Sequence, residues 1–304
     1  MKIDDVPDQS GYPVIFAHVF YQDVWDEIVL RLETLPIPYR LVLTAPIGVL
    51  PARVPSNVID IESFVFPNRG RDVLPFIEAL RKTKFSFDLG LKIHTKKSVH
   101  REDGSTWGRE IIGSLIGSPE NVQQIVETMA RRPDLGMCGP DGHYVKVRQF
   151  EGTNSTNLKG LLADLHVDRP NPRSARFIAG SMFWFKRQAL IGLLESDLAK
   201  FDEERGQLDG TLAHAYERAF SVLAKSRGFD SSTVTEILSP FGSSRAARRQ
   251  ISAHLLPPPS WGGRAPYIDH AVTALTKVPP LRAAFRRLPK SAQSQIRLIV
   301  LGRR

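Results

Sequence analysis

Along the first 240 positions the apolar residues switch repeatedly between two periods. Residues 14–19 (VIFAHV) form a compact run interrupted only by His18, and Val24, Ile28, Val29 and Leu32 then recur at helical spacing. Residues 40–44 (RLVLT) and 58–61 read as short strands with proline-containing turns between them. Residues 73–81 read as a helix and 89–93 (LGLKI) as a buried strand. Two helices are expected over 107–116 and 119–131, the second with Ser118 in the N-cap place and Pro119 at the first helical position. Residues 135–138 and 177–185 (FIAGSMFWF) read as strands, 209–227 as a long helical stretch and 233–238 as a last strand. Strands alternating with helices of ten or more residues imply a mostly parallel sheet with helices on both faces. The expected fold class is α/β.

After Pro240 the pattern changes. SSRAARRQ, the three prolines of 257–259 and WGGRAP break any period, and 281–301 then mixes arginine with Leu, Phe, Ile and Val at helical spacing. The charge divides at the same place. The chain carries 41 Lys and Arg against 32 Asp and Glu; 12 of the cations but one acid, Asp269, lie in 245–304, leaving +11 there and −2 in 1–244. Two parts are therefore expected: a near-neutral body, 1–244, and a basic, proline-interrupted amphipathic tail, 245–304. The body is not built to bind nucleic acid, whereas the tail suits an anionic membrane surface. An acidic, polar N-terminus does not look like a secretory signal, no apolar run reaches the length of a spanning helix, and one cysteine excludes an internal disulfide. A cytoplasmic protein, peripheral on the inner face of the plasma membrane, is expected.

Four segments follow strands, where open α/β sheets bind their ligands. His18 leaves the first strand with Phe20 and Tyr21, and a lone histidine there reads first as a structural group. In 67–72 (PNRGRD), Asn68 and Gly70 read as a turn and Asp72 as the N-cap of the next helix. Arg69 and Arg71 beside that N-terminus oppose its dipole unless an anion offsets them. In 92–98 (KIHTKKS), Lys92 interrupts an apolar strand, and His94, Lys96 and Lys97 follow at its end. The fourth element pairs 177–185 with 201–218 (FDEERGQLDGTLAHAYER). There Gly180-Ser181 allows close backbone approach, and Asp209 and Glu217 bracket His214. Carboxylates near a cationic site are candidates for general-base work. The chain carries no P-loop, dinucleotide fingerprint, Cys/His metal spacing or nucleophile elbow.

These stretches, PNRGRDVLPF, LKIHTKKSVH with Trp107 downstream, LGMCGP, IAGSMFWFKR and FDEERGQLDGTLAHAYER, occur in one order and resemble the rhamnan synthesis protein F family over most of 14–240. The resemblance implies a glycosyltransferase of bacterial cell-surface polysaccharide (O-antigen or rhamnan) assembly, moving L-rhamnose from dTDP-L-rhamnose onto a lipid-linked glycan with inversion. The element order is also similar to that of nucleotide-sugar transferases of the GT-A fold, many of which hold a divalent metal on Asp-x-Asp. No Asp-x-Asp occurs in this chain. The expectation is that fixed cations, Arg69, Arg71, Lys92, Lys96 and Lys97, take the diphosphate, with Asn68, Asp72 and His94 beside them. Asp202-Glu203-Glu204 stays open as a metal-holding alternative, and no cofactor is expected beyond the dTDP-sugar co-substrate. Asp209 is expected as the base, with Glu203 or Glu204 as alternatives. Trp184 is expected to stack on a sugar, and Ser181 and His214 to line the sugar or acceptor. A non-catalytic glycan- or lipid-phosphate-binding protein of the same pathway is the competing class.

Overall fold

A computed structural model of the chain describes residues 11–49, 51, 53–95, 104–150, 153–168, 174–204, 207 and 209–239. Lys96, Lys97, the Trp107 side chain, the N-terminal segment and the tail from 245 onward lie outside the described residues.

The strands are β1 (Val14–His18), β2 (Arg40–Pro46), β3 (Ile61–Phe66), β4 (Leu89–His94), β5 (Leu135–Gly139), β6 (Tyr144–Lys146), β7 (Arg176–Ile178), β8 (Phe183–Lys186) and β9 (Asp230–Thr233). The helices are α1 (Gln22–Leu32), α2 (Val73–Lys82), α3 (Gly104–Ile116), α4 (Pro119–Arg131), α5 (Ser155–Asp164), α6 (Arg187–Leu190), α7 (Leu212–Ser226) and α8 (Val234–Leu238). Seven strands form one sheet in the order β3-β2-β1-β4-β8-β5-β9, and β6 pairs with β7 separately. All neighbours in the large sheet are parallel except β8, which runs against both β4 and β5. The chain is thus α/β with a mostly parallel sheet.

Burial explains why the interior strands read as continuous apolar runs: every residue of β1, β2 and β5 is buried. Period two then sorts the side chains by face. Ile15, Ala17, Leu91, Ile93 and Trp184 pack with Trp25, Ile28 and Leu32 of α1, Ile111 and Leu115 of α3, and Val122, Ile125 and Met129 of α4. Phe16 and Phe185 lie on the opposite face, meeting Phe76 of α2 at ring-centroid distances of 5.5 Å; Phe183 meets Phe220 of α7 at 5.3 Å. This aromatic face ends, two strand positions beyond Phe16, in polar residues.

Three sequence expectations are corrected. Residues 177–185 are not one strand: Gly180 (φ 92°) and Ser181 (φ 54°) turn the chain, so β7 and β8 belong to different sheets. The last strand expected at 233–238 is instead α8 from Val234 on, with Thr233 ending β9 and making a reciprocal capping box with Glu236 at the start of the helix. The strand expected at 58–61 begins instead at Ile61 and runs to Phe66. Ser118 does cap α4, accepting from the Asn121 N–H at 3.2 Å. Among the described residues, no helix is long and apolar enough to cross a membrane.

Candidate functional site

The chain lays down β1, β2 and β3 toward one side, then returns to place β4 on the other side of β1. The carboxyl ends of β1 and β4 therefore flank the point where strand order reverses, the place such sheets leave a ligand crevice. The last residues of these two strands are His18 and His94, which are Cα partners. Both stand on the aromatic face, two positions beyond Phe16 and Lys92. Thr95 shapes the exit of β1: its Oγ1 accepts from the N–H groups of Phe20 (2.7 Å) and Tyr21 (3.0 Å), and its own N–H donates to the His18 carbonyl at 3.0 Å.

Beneath the histidines lies an enclosed ion pair. Lys92 Nζ donates to Asp72 Oδ2 at 2.5 Å and to the Ser181 carbonyl at 2.7 Å, and stands 5.4 Å from the centre of the Phe76 ring. His94 Nδ1 is 3.3 Å from the same Asp72 oxygen. Burial by itself would raise the Asp72 carboxyl, but His94 and Lys92 outweigh it and hold it well below the carboxylate range. Burial lowers the Lys92 ammonium, with Asp72 pulling the other way. His18 Nδ1 is 2.9 Å from Thr44 Oγ1, and burial lowers its pKa to about 4, so the ring is neutral near pH 7. The N-cap role expected of Asp72 is corrected here: it occupies the N-cap place of α2, but its carboxylate makes no cap bond and turns to Lys92 instead.

The outer part of the site is built where residues 199–204 and 207 meet 67–72. Gly70 (φ 65°) and Arg71 (φ 55°) are both left-handed, and a Cβ at Gly70 would collide with Leu74 and Phe201, so glycine is required there. Arg69 donates from Nε to the Phe201 carbonyl and from Nη2 to that of Ala199, both at 2.5 Å. Arg71 pairs with Glu204 at 3.2 Å and donates to the Gln207 carbonyl. Both arginines thus have partners within the chain that offset their conflict with the helix dipole. Asn68 and Glu203 are exposed, and Glu204 is half-buried. Burial raises the Glu204 carboxyl above its ordinary value, against the pull of Arg71.

Asp209 precedes α7 and does not belong to it. Thr211 is the N-cap of that helix and His214 completes the capping box, with its Nδ1 2.8 Å from Thr211 Oγ1. Burial lowers His214 to about 4, assisted by Arg71. The Asp209 carboxylate accepts from Asn154 Nδ2 (2.6 Å), the Thr153 N–H (3.1 Å) and Thr153 Oγ1 (3.3 Å), with Arg218 Nη2 at 3.6 Å. Burial would raise it, but these donors outweigh burial and hold it low. Arg218 also donates to the carbonyls of Phe150 (2.9 Å) and His214 (2.8 Å), and pairs with Glu217 at 3.2 Å. Glu217 in turn accepts from the Gly180 N–H at 2.6 Å. Sequence reading assigned no role to Arg218 or Thr44; the available signal was a Glu-Arg pair inside the buried run of α7. The sugar-stacking role expected of Trp184 is corrected: the ring is fully buried and its N–H donates to the Leu115 carbonyl at 3.1 Å, leaving no face for a ligand.

The site residues thus come from the ordered stretches PNRGRD, KIH, IAGS and DEER through HAYER. The signature of rhamnan synthesis protein F matches residues 5–229. The chain belongs to the rhamnan synthesis protein F family. Proteins from two strains of Xanthomonas campestris pv. campestris, each described as uncharacterized protein WxcX, are 36% identical to it over 230 residues, 74% of this chain and 33% of theirs. The chain spans about a third of the length of these curated relatives. A solved structure, CMP:2-keto-3-deoxy-manno-octonic acid synthetase complexed with CTP, aligns over 74% of this chain and 89% of its own at 10% identity and a TM-score of 0.36. Membership of the rhamnan synthesis protein F family supports a role in polysaccharide synthesis.

Proposed function

We propose that the chain is a glycosyltransferase that moves L-rhamnose, with inversion, from dTDP-L-rhamnose to a lipid-linked glycan. The observation that carries this reading is the pair His18 and His94 at the reversal of strand order, above the enclosed Asp72–Lys92 ion pair. Such a site offers preorganised polar groups in a low-dielectric wall, where they stabilise developing charge best.

In the proposed reaction the acceptor oxygen attacks the anomeric carbon, its proton passes to a carboxylate, and the bond from that carbon to the diphosphate oxygen breaks. Glu204 is the better base of the three carboxylates considered. It is half-buried with a raised pKa, whereas Asp209 is saturated by donors that hold it ionised and weaken it as a base. The leaving diphosphate is assigned to Lys96 and Lys97 with His94, without a divalent metal. The basic tail is assigned to an anionic leaflet that carries the acceptor. Competing readings are a binding protein that keeps the crevice without turnover and a polyanion-binding adaptor that acts through the tail alone.

The deciding experiment incubates the protein with a panel of nucleotide sugars and a lipid-linked acceptor and measures released dTDP, UDP and GDP. Release of dTDP from dTDP-L-rhamnose in EDTA, with glycan extended, is expected. Binding without release of any nucleoside diphosphate replaces the transferase with the binding protein. Co-sedimentation with anionic vesicles, weakened by salt and lost in a 1–244 truncation, is the expected behaviour of the tail; equal sedimentation of both forms removes that role.

A further inference from the structure

Ser181 holds a left-handed backbone conformation, φ 54°, directly after Gly180 at 92°. A left-handed serine costs about 1 kcal/mol or more, and glycine would adopt the same shape without that strain. The hydroxyl gains nothing inside the fold in return. Among the described residues Ser181 is bonded through its carbonyl, which accepts from Lys92 Nζ, and its Oγ has no partner. Unlike the hydroxyls of Ser196 and Ser221, which are sealed without a partner, that of Ser181 is not sealed, although the residue is only 4% exposed. Strain that persists in a well-packed place is a mark of function.

The turn is held from both ends. Glu217 accepts from the Gly180 N–H at 2.6 Å, and Lys92 donates to the Ser181 carbonyl at 2.7 Å. The charges around it cancel in pairs: Lys92 with Asp72, Arg71 with Glu204, and Arg218 with Glu217. The ion pairs that hold the turn are closed on themselves, and what the turn itself offers is a hydroxyl, so a hydroxylated part of a ligand is the chemistry that fits. We infer that the Ser181 hydroxyl contacts a sugar hydroxyl of the substrate, and that Glu217 is the positioning residue that fixes the Gly180–Ser181 turn. The inference rests on the proposed sugar-transfer reading and names one contact within it.

Removing the hydroxyl while relieving the backbone separates function from structure. Ser181→Gly is expected to match or exceed the wild-type melting temperature, yet to bind dTDP-L-rhamnose or a rhamnose oligosaccharide at least tenfold more weakly, with affinity for dTDP itself unchanged. Ser181→Ala loses the same affinity and keeps the strain. Glu217→Gln, which preserves an acceptor for the Gly180 N–H, stays within about threefold of wild type, whereas Glu217→Ala falls with Ser181→Gly. Undiminished sugar affinity in Ser181→Gly overturns the contact, and equal losses in Glu217→Gln and Glu217→Ala overturn the positioning role. Calorimetry on the full chain keeps the two readings apart. A wild type that binds sugar without releasing nucleoside diphosphate refutes the transferase and leaves Ser181 standing. A Ser181→Gly variant with normal binding and turnover does the reverse.

Discussion

Around Asp72 both the carboxylate and its partners are enclosed, whereas Asp209 and its partner Thr153 stand partly in solvent although Asn154 is buried. Side-chain exposure is 15% for Asp72 and 2% for Lys92, against 33% for Asp209. Both carboxylates are held below their ordinary pKa, but for different reasons. Asp72 is held by the neighbouring Lys92 and His94, and Asp209 mainly by hydrogen bonds from Asn154 and Thr153. The first arrangement is dear to break and keeps two histidines beside it. The second is a fastening between the start of α7 and the segment before α5. The lesson is that a carboxylate rich in donors is often a tie, and the one to suspect of chemistry is flanked by groups that can themselves exchange protons.

The largest effect is expected from Lys92→Met. Leaving the Asp72 carboxylate enclosed without its partner costs about 3–5 kcal/mol, read as a lower urea midpoint, and turnover falls about a hundredfold or more. Adding Asp72→Asn should restore much of the stability but none of the turnover; restored turnover would make the inner cluster merely structural. Next, Glu204→Gln is expected to lower sugar transfer by roughly 100- to 10,000-fold with the melting temperature little changed. Asp209→Asn should keep most transfer and lose about 1–3 kcal/mol of stability. The opposite pattern returns the base to Asp209.

Acid distinguishes the clusters further. The folded chain resists protonating His18 until about pH 4, while the unfolded chain protonates it near 6.5. Stability therefore falls as pH drops through that window, by up to ~3 kcal/mol from this one group, and levels off below it. His214, lowered to about 4 as well, acts in the same direction. The stabilisation from Asp72 is present above the unfolded carboxyl pKa and is lost only at more acidic pH. Urea unfolding at pH 7 and pH 5 should show the fall, and His18→Gln should reduce it, leaving the part due to His214; an unchanged slope would mean that His18 protonates freely. The smallest contrast comes from one deletion made twice. Thr44→Val strips a buried partner from His18 and costs about 1–3 kcal/mol, whereas Thr153→Val, at an exposed bond to Asp209, costs less than about 1. Equal losses would erase the distinction between the regions.

Local pattern made the α/β alternation, the Ser118 cap and the oddity of Lys92 readable, because each is expressed within a few residues. What stayed hidden depends on distant partners or on a single backbone angle. The carboxylate that answers Lys92 lies 20 positions away, and the donors that occupy Asp209 lie 55 and 56 away. Asp72 before a helix looks like a cap from its neighbours alone, and only the fold brings Lys92 against it. The break at Gly180-Ser181 left the apolar run of 177–185 intact to the eye. The capping box at Thr233 and Glu236 was legible and passed over, since Thr-Val-Thr is also what a strand prefers.

The reversed direction of β8 has a consequence for how one wall of the crevice is attached. Because β8 runs against β5, the path that leaves β5 after Gly139 returns at Phe183 at the same end of the neighbouring strand, with Cys138 and Trp184 as Cα partners across the base. Residues 140–182 are therefore a cassette inserted through two adjacent ports. The cassette carries β6, β7 and α5, and it delivers Thr153, Asn154 and Ser181 to the site. Replacing that stretch would leave the order of the seven strands untouched while changing one wall of the crevice.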